Sequence, residues 1–239
     1  GMAVSLGLKQ IAYKDLPEEK PGKWAYLDAT PASCVKYGLN VPFLEKFPDV
    51  VVSGINHGSN AASAACYSGT LGAAEEAALN GIPAIGVSLD TINPEADFSA
   101  VRKFFPDIFR KLMENMTSDP GIFYNVNFPN IPAEQIKGIR VGHQGMGRWI
   151  REFREWDPSI YKRYGITPED LGQSSSPKLE SGEKLYMMVG DFLDDDRNDS
   201  RADHWIMNDG YISIVPDNLD STDYEEVERL GKTGFDIDF

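Results

Sequence analysis

The chain has 239 residues, 41% of them hydrophobic, which suits one α/β domain with an added arm or two small domains. Its formal net charge of −14 argues against non-specific binding to nucleic-acid polymers or to an anionic membrane surface. No run of 18 apolar residues occurs, and Cys34 and Cys66 are the only cysteines. We therefore expect a cytoplasmic protein with reduced thiols, and neither a nucleic acid nor a membrane as its partner.

The first elements predicted in chain order are a strand, a short helix and a second strand. Residues 24–28 are typical of a strand. Thr30 is a good N-cap with Pro31 at the first helical position, and Gly38 is expected to end that helix. Residues 50–52 are three consecutive valines, a pattern that favours a parallel strand covered on both faces.

A loop rich in small polar residues follows these valines and leads into a helix and another strand. The loop turns through Gly54, Asn56, Gly58 and Asn60. A helix is predicted from Ser68 to about Asn80, and residues 82–89 resume a buried strand. This βαβ unit places the loop beyond the carboxyl end of a strand, where open α/β sheets bind ligands.

The start of this helix has the residues that an anion site needs. Ser68, Gly69 and Thr70 are small enough for an anion to approach the first N–H groups, and the helix dipole favours negative charge. The amides of Asn56 and Asn60 add polar groups nearby. An ordinary capped helix with turn residues explains the same pattern, so the residues alone leave both interpretations open.

The remaining elements predict the fold class. An amphipathic helix over residues 96–115 and a strand over 121–128 continue the alternation, which favours a mostly parallel, helix-covered, Rossmann-like α/β sheet. From residue 142 the pattern changes to an exposed strand or hairpin at 148–153 and a helix cap at 167–170. The last predicted elements are strands at 184–189 and 204–215, antiparallel to each other, and a helix at 221–230.

Two weaker signals remain open on the residues alone. Residues 191–203 are the densest acidic segment, but they lack EF-hand spacing, so we interpret them as a solvated loop and not a metal site. His57 adjoins Asn56 and is either a ligand-facing acid or donor, or a solvent-exposed turn residue.

Seven segments together resemble a known family. They lie at residues 30–35 (TPASCV), 53–56 (SGIN), 67–70 (YSGT), 81–89 (GIPAIGVSL), 124–129 (YNVNFP), 136–141 (IKGIRV) and 209–214 (DGYISI). In this order they are similar to the motifs of SurE, the survival protein family of metal-dependent nucleotidases. The resemblance extends from near residue 1 to about residue 216.

The resemblance implies a function and a set of site residues. Family members hydrolyse nucleoside 5′- or 3′-monophosphates with a divalent metal, Mg or Mn, held by two consecutive aspartates, a serine and an asparagine. The asparagine corresponds to Asn56, and the phosphate contacts correspond to Asn60, Ser68, Gly69 and Thr70. The resemblance also implies a core over residues 1–141, and a β extension, a returning core strand and an arm over 142–239. This arm would form a homodimer or homotetramer.

One family motif has no counterpart in this sequence. No Asp-Asp pair occurs before residue 194, and Gly1 to Leu6 resembles the segment that follows the family's serine ligand. We therefore expect on the order of 30 to 40 residues, about one βαβ unit, to be missing from the sequence. On this interpretation the chain as written has little phosphatase activity. The alternative is a catalytically inert phosphate- or nucleotide-binding protein.

Overall fold

The structure is a computed structural model that describes residues 4, 10–17, 21–117, 119–194 and 199–234. Its strands are β1 (Tyr13–Asp15), β2 (Ala25–Leu27), β3 (Val51–His57), β4 (Ala84–Leu89), β5 (Ile122–Phe128), β6 (Ile139–Val141), β7 (Arg148–Ile150), β8 (Phe153–Glu155), β9 (Tyr186–Met188), β10 (Asp191–Leu193) and β11 (Ile212–Asn218). Its α-helices are α1 (Pro31–Asn40), α2 (Gly69–Leu79), α3 (Ser99–Asn115), α4 (Ser159–Arg163), α5 (Asp203–Asn208) and α6 (Tyr224–Gly231).

A five-stranded sheet of order β3-β4-β5-β11-β6 forms the centre of the fold. The pairs β3/β4, β4/β5 and β11/β6 are parallel, and only β5/β11 is antiparallel. Side chains from α1 and α2 pack with Ala84 and Phe123 on one face. Val101 and Ile108 of α3 pack with Ile85 on the other. The predicted mostly parallel, helix-covered α/β fold is therefore confirmed.

Strand β3 differs from its prediction in cover and in length. Val52 remains 44% exposed, so the expectation of a strand covered on both faces is wrong, because the apolar cluster around α3 covers β4, β5 and β11 and does not include β3 at the sheet edge. The strand also continues through Gly54 to His57, past the predicted turn, with a shift of register between Ser53 and Asn56. Gly54 makes this course possible, since at φ +125° a Cβ would lie 2.3 Å from the carbonyl oxygen of Val87.

The two helices before β4 begin where the sequence predicts. Thr30 caps α1 by accepting a hydrogen bond from the N–H of Ser33, and Ser68 caps α2 in the same way. The predicted end of α1 is wrong, because Gly38 lies inside the helix and α1 continues to Asn40. Between β3 and α2, the predicted loop contains a 3-10 helix at Ala62–Tyr67.

The predicted β extension is a long two-stranded ribbon, and of the two alternatives for residues 148–153 the structure shows the exposed strand, on one side of this ribbon. Strand β7 pairs with β10, and β8 pairs with β9, all antiparallel. Arg151 separates β7 from β8 with a φ of +53°. We call residues 148–193 the ribbon; its distal half contains α4 and a short 3-10 turn at Glu169–Leu171, where the sequence predicted a helix cap.

The prediction of one strand over residues 204–215 is wrong. The first part forms α5, Gly210 then turns the chain at φ +83°, and β11 starts at Ile212. A short apolar run does not distinguish a buried helix from a strand, and here Ile206 and Met207 are buried on the helix. Strand β11 inserts between β5 and β6, so it pairs with β5 and not with β9.

The last described helix is exposed, and several predicted features fall outside the described residues. Helix α6 begins after its N-cap Asp223 and has no buried residue. Three predicted features lie outside the described residues: the segment Gly1 to Leu6 apart from Val4, part of the acidic segment at 195–198, and the tail after residue 234. The division of the chain at residue 141 stays a prediction. Within the described ranges, no helix is both long and apolar enough to cross a membrane.

Candidate functional site

A cavity lies where the loop after β3 meets the start of α2. Its volume is about 430 Å³. The lining residues are Asn56, Asn60, Ser63, Ala64, Tyr67, Ser68, Gly69, Arg148, Trp149 and Glu152. The first seven come from β3 and the segment that follows it, and the last three come from the ribbon. The cavity therefore adjoins the carboxyl end of β3, as the sequence predicts for a ligand site.

The start of α2 contributes Ser68 and Gly69 to the lining of this cavity and, in the described structure, has two unpaired N–H groups. Ser68 Oγ accepts from the N–H of Leu71 at 3.0 Å, and Ser68 O accepts from the N–H of Gly72 at 3.0 Å. Among the described residues, the N–H groups of Gly69 and Thr70 have no acceptor. Two free N–H groups at the positive end of a helix dipole are suited to bind a phosphate.

Close packing brings this helix start against the sheet. Gly86 of β4 lies so near α2 that a Cβ there would be 2.7 Å from Leu71 Cδ2 and 3.7 Å from Thr70 Cγ2. Thr70 is consequently buried, although Gly69 beside it lines the cavity. The helix start is thereby fixed in place, which lowers the cost of ordering it around a ligand.

Asn60, a predicted phosphate contact, lines the cavity but is almost entirely buried. Its Nδ2 donates to Ser88 Oγ at 2.6 Å, and its backbone N–H donates to Asn127 Oδ1 at 2.8 Å. Asn125 Nδ2 in turn donates to the carbonyl of Asn60 at 2.9 Å. Asn125 Oδ1 accepts a hydrogen bond from Asn127 Nδ2. The asparagines of β5 therefore hold the loop, a role that the sequence did not reveal.

Asn56, the predicted metal ligand, also lines the cavity. Its Nδ2 donates to the carbonyl of Gly58 at 2.8 Å, which leaves Oδ1 as the available oxygen. A hard cation such as Mg or Mn needs several oxygen ligands. The residues that the structure describes contain no group of three or more His, Cys, Asp or Glu that could hold a metal, and Glu152 is the only carboxylate lining the cavity. These residues by themselves do not fit the metal.

A buried carboxylate connects the cavity loop to the base of the ribbon. Asp203, at 0% exposure, accepts from the N–H of Ala62 at 3.0 Å and from the N–H of Gly145 at 3.0 Å. It also accepts from the N–H of His204 at 2.8 Å. Ala62 starts the 3-10 helix and has a φ of +50°, so these bonds hold a strained backbone position.

The acidic segment that contains Asp203 is therefore not simply a solvated loop. Asp203 is inside the protein, and Asp194 lies 3.2 Å from Nε2 of the buried His204. That part of the earlier interpretation is wrong, because the chain returns to the core as α5 at this point. No local capping signal marks this change, since the N-cap of α5 is Ala202 and makes no side-chain cap hydrogen bond.

The ribbon wall of the cavity was not predicted from the sequence. Trp149 packs edge-on against Phe192, with ring centroids 5.5 Å apart, and Phe192 packs against His204 at 5.7 Å. Among the described residues that line the cavity, Arg148 is the only cation. The alternation of polar and apolar residues predicted a hairpin here, but only the folded chain places it beside α2.

Asp217 and His57 lie outside the set of residues that line the cavity. Burial, together with the charges of Asp203 and Glu75, raises the pKa of Asp217 to about 7. Asp217 Oδ2 is buried without a partner among the described residues. His57 is exposed and does not line the cavity; its ring lies against that of Phe98, with centroids 5.0 Å apart and planes tilted by 50°. Of its two interpretations, the structure therefore supports the exposed one.

Comparisons with known proteins extend the similarity over most of the chain. A sequence profile of the family described as Survival protein SurE matches residues 1–151. A 5′-nucleotidase SurE of Cytophaga hutchinsonii is 37% identical over 97% of this chain and 81% of its own length. One of Bacteroides fragilis is 32% identical over 96% of this chain and 81% of its own length. The solved structure of the SurE protein from Aquifex aeolicus has a TM-score of 0.72 and 28% identity, covering 98% of this chain and 83% of its own.

Proposed function

This chain belongs to the SurE family, and on that premise we propose that it is a phosphomonoesterase for nucleoside 5′- or 3′-monophosphates. The relatives described above carry the name 5′-nucleotidase. The observation that carries the proposal is the start of α2, where the N–H groups of Gly69 and Thr70 have no acceptor in the described part of the chain. The net charge of −14 does not oppose this, since a local site binds a single phosphate group.

In this proposal the residues of the chain bind and orient the phosphate. The N–H groups of Gly69 and Thr70 donate to phosphate oxygens, and the hydroxyl protons of Ser68 and Thr70 remain available as further donors. Arg148 adds positive charge to the wall of the cavity. We call the start of α2, where the phosphate would bind, the phosphate seat. Asn60 supports it from the buried side by hydrogen bonds to Ser88 of β4 and Asn127 of β5.

We further propose that Asn56 Oδ1 is one ligand of a divalent cation, Mg or Mn. One amide oxygen does not make a hard-cation site, so we assign no step of hydrolysis to the cation. The second candidate function is a protein that binds phosphate or nucleotide without cleaving it. Both functions place the phosphate at the same helix start.

The two candidate functions differ in a direct assay. Phosphate release from 5′-AMP and 3′-AMP should be measured with Mg or Mn added, and AMP affinity should be measured by calorimetry in parallel. The test variant is Thr70→Val, and the matched control is Thr117→Val, an exposed threonine outside the cavity. Metal-dependent release that Thr70→Val weakens, because the variant loses a hydroxyl donor but keeps both N–H groups, and that Thr117→Val leaves unchanged would support the hydrolase. Binding without release would support the inert protein, and neither binding nor release would contradict both.

We also propose an assembly and a division of the chain. Residues 1–141 would form the core, and residues 142–239 would form the ribbon, the returning strand and an arm that joins subunits into a homodimer or homotetramer. Support comes from exposed apolar side chains on the ribbon and on α6, which the described residues do not cover. The side chains are Phe153, Met188, Tyr224 and Val227.

A further inference from the structure

We propose that Tyr67 and Trp149 bind the nucleobase of the substrate by stacking, which makes the cavity specific for nucleotides over simpler phosphates. This inference rests on the proposed phosphate seat, because it assigns the remaining part of the same cavity. Both side chains line that cavity, and they remain 76% and 50% exposed. Single exposed aromatic residues are common, but two from separate elements in one cavity form a binding surface.

The position of Tyr67 in the chain places it beside the phosphate seat. It is the last residue of the 3-10 helix Ala62–Tyr67 and directly precedes Ser68, the N-cap of α2. A ligand whose phosphate occupies the start of α2 therefore has an aromatic ring next to it. An aromatic side chain presents a π-face that stacks with any nucleobase.

Trp149 is held in place by contacts behind it. Phe192 packs against its indole ring at an interplanar angle of 68°, and Phe192 rests on the buried His204. Gly147 makes room for this arrangement, since a Cβ there would lie 2.4 Å from Phe192 Cζ. The tryptophan is thus ordered before a ligand arrives, so stacking on it costs little conformational entropy.

Two connections fix Tyr67 and Trp149 relative to each other. The N–H of Ser63 donates to the carbonyl of Gly147 at 3.0 Å, which joins the 3-10 helix to the residue immediately before the ribbon. Asp203 joins the same two segments through the N–H groups of Ala62 and Gly145. The aromatic residues therefore belong to one preorganised wall.

The size and chemistry of the cavity match this assignment. A volume of about 430 Å³ lies within the range of small-molecule sites, which runs from roughly 300 to 1,000 Å³. Inorganic phosphate would fill only the helix start and leave the aromatic surface exposed to water. A nucleoside monophosphate has both a phosphate for the helix start and an apolar base for the rings.

The experiment compares three probes, namely AMP, ribose 5-phosphate and inorganic phosphate, by calorimetry and by tryptophan fluorescence. The variants are Tyr67→Ala, Trp149→Ala and the conservative Trp149→Phe, which keeps a ring if the alanine variant folds poorly. The matched controls are Tyr186→Ala and Trp24→Ala, since both residues are similarly exposed but do not line the cavity.

We expect wild type to bind AMP at least about tenfold more tightly than ribose 5-phosphate. Each alanine variant should lose most of that difference and keep its affinity for ribose 5-phosphate, and Trp149→Phe should retain part of it. AMP should quench fluorescence in wild type and Trp24→Ala, but not in Trp149→Phe. Equal affinity for AMP and ribose 5-phosphate would overturn the base site and leave the phosphate seat standing. No binding of any probe would overturn both.

Discussion

Ser68 combines a structural and a binding role in one hydroxyl group. Its oxygen accepts a hydrogen bond from the N–H of Leu71. Its hydroxyl proton has no acceptor among the described contacts. The sequence signal for both roles is the same, because small hydroxyl residues are both good N-caps and good neighbours for an anion. Only the cavity beside Ser68 distinguishes this helix start from an ordinary one.

Replacing Ser68 by alanine should therefore affect stability and binding together. We expect Ser68→Ala to lower the free energy of unfolding by about 1 kcal/mol, since the N–H of Leu71 loses its acceptor. Phosphate affinity should fall as well. The control is Thr30→Ala, which removes the N-cap of α1 and should lower stability without changing affinity. Equal effects of the two variants on affinity, measured by calorimetry, would contradict the role of Ser68 in binding.

Gly54 offers a test of the close approach between β3 and β4. Gly54→Ala should destabilise the protein severely, because the new Cβ would meet the carbonyl of Val87 at 2.3 Å. Gly58→Ala is the matched control: its φ of +113° is similarly unusual, but the nearest atom to its Cβ would be 3.7 Å away. Urea denaturation should show a clearly larger loss for Gly54→Ala, and similar losses would mean that the steric contact is unimportant.

At the scale of elements, the sequence predicted helix starts better than it predicted the segment after the ribbon. Thr30 and Ser68 carry local capping signals, so α1 and α2 begin as expected. Helix α5 has no such clear signal. Its formation depends on contacts with residues far away in sequence, such as the hydrogen bond from the N–H of Ala62 to Asp203. Long-range contacts of this kind leave no local pattern.

Substitution of Asp203 should affect stability strongly, because its carboxylate connects the cavity loop at Ala62 to Gly145 before the ribbon. Asp203→Asn removes the negative charge and replaces one carboxylate oxygen by an NH₂ group, so the three backbone N–H groups now bonded to the carboxylate are left with a single neutral amide oxygen as acceptor. We expect a loss of about 3 kcal/mol in unfolding free energy and weaker AMP binding, because the cavity loop and the ribbon separate. Asp199→Asn, at an exposed position in the same segment, is the control. A variant as stable as wild type would contradict this role.

Asp217 predicts how stability depends on pH. Its pKa is raised from 3.8 to about 7 in the folded protein, so the folded state retains a proton that the unfolded state releases. The stability from this proton is complete below about pH 3.8 and is lost as the pH rises through about 7. Asp217→Asn should flatten the decline in unfolding free energy between about pH 4 and pH 7. Asp107→Asn, at an exposed position, should leave it unchanged, and an unaltered decline in the Asp217 variant would refute the assignment.

At the scale of the whole molecule, the class of fold followed from alternating strand and helix patterns, and it is confirmed. Two features were beyond reach of the sequence. The exposed face of β3 depends on its place at the edge of the described sheet, and the cavity depends on the ribbon folding back beside α2. Both features are set by tertiary arrangement, for which local propensity gives no signal.

The proposed assembly gives a prediction at this scale. We expect the protein to form a homodimer or homotetramer through the exposed apolar side chains of the ribbon and α6. Phe153→Glu combined with Met188→Glu should shift the mass measured by light scattering toward the monomer, because charges are costly in an apolar interface. The control is Leu79→Glu, an exposed apolar position on α2. A monomeric wild type would refute the assembly.

The most direct measurement is a titration of the ¹⁵N-labelled protein with inorganic phosphate, followed through its backbone amide signals. If the start of α2 binds phosphate, the amide protons of Gly69 and Thr70 should move downfield and saturate together. The amide of Gly72, which already donates to Ser68, should change little. Signals of Gly69 and Thr70 that stay in place at saturating phosphate would contradict the phosphate seat and, with it, the proposed function.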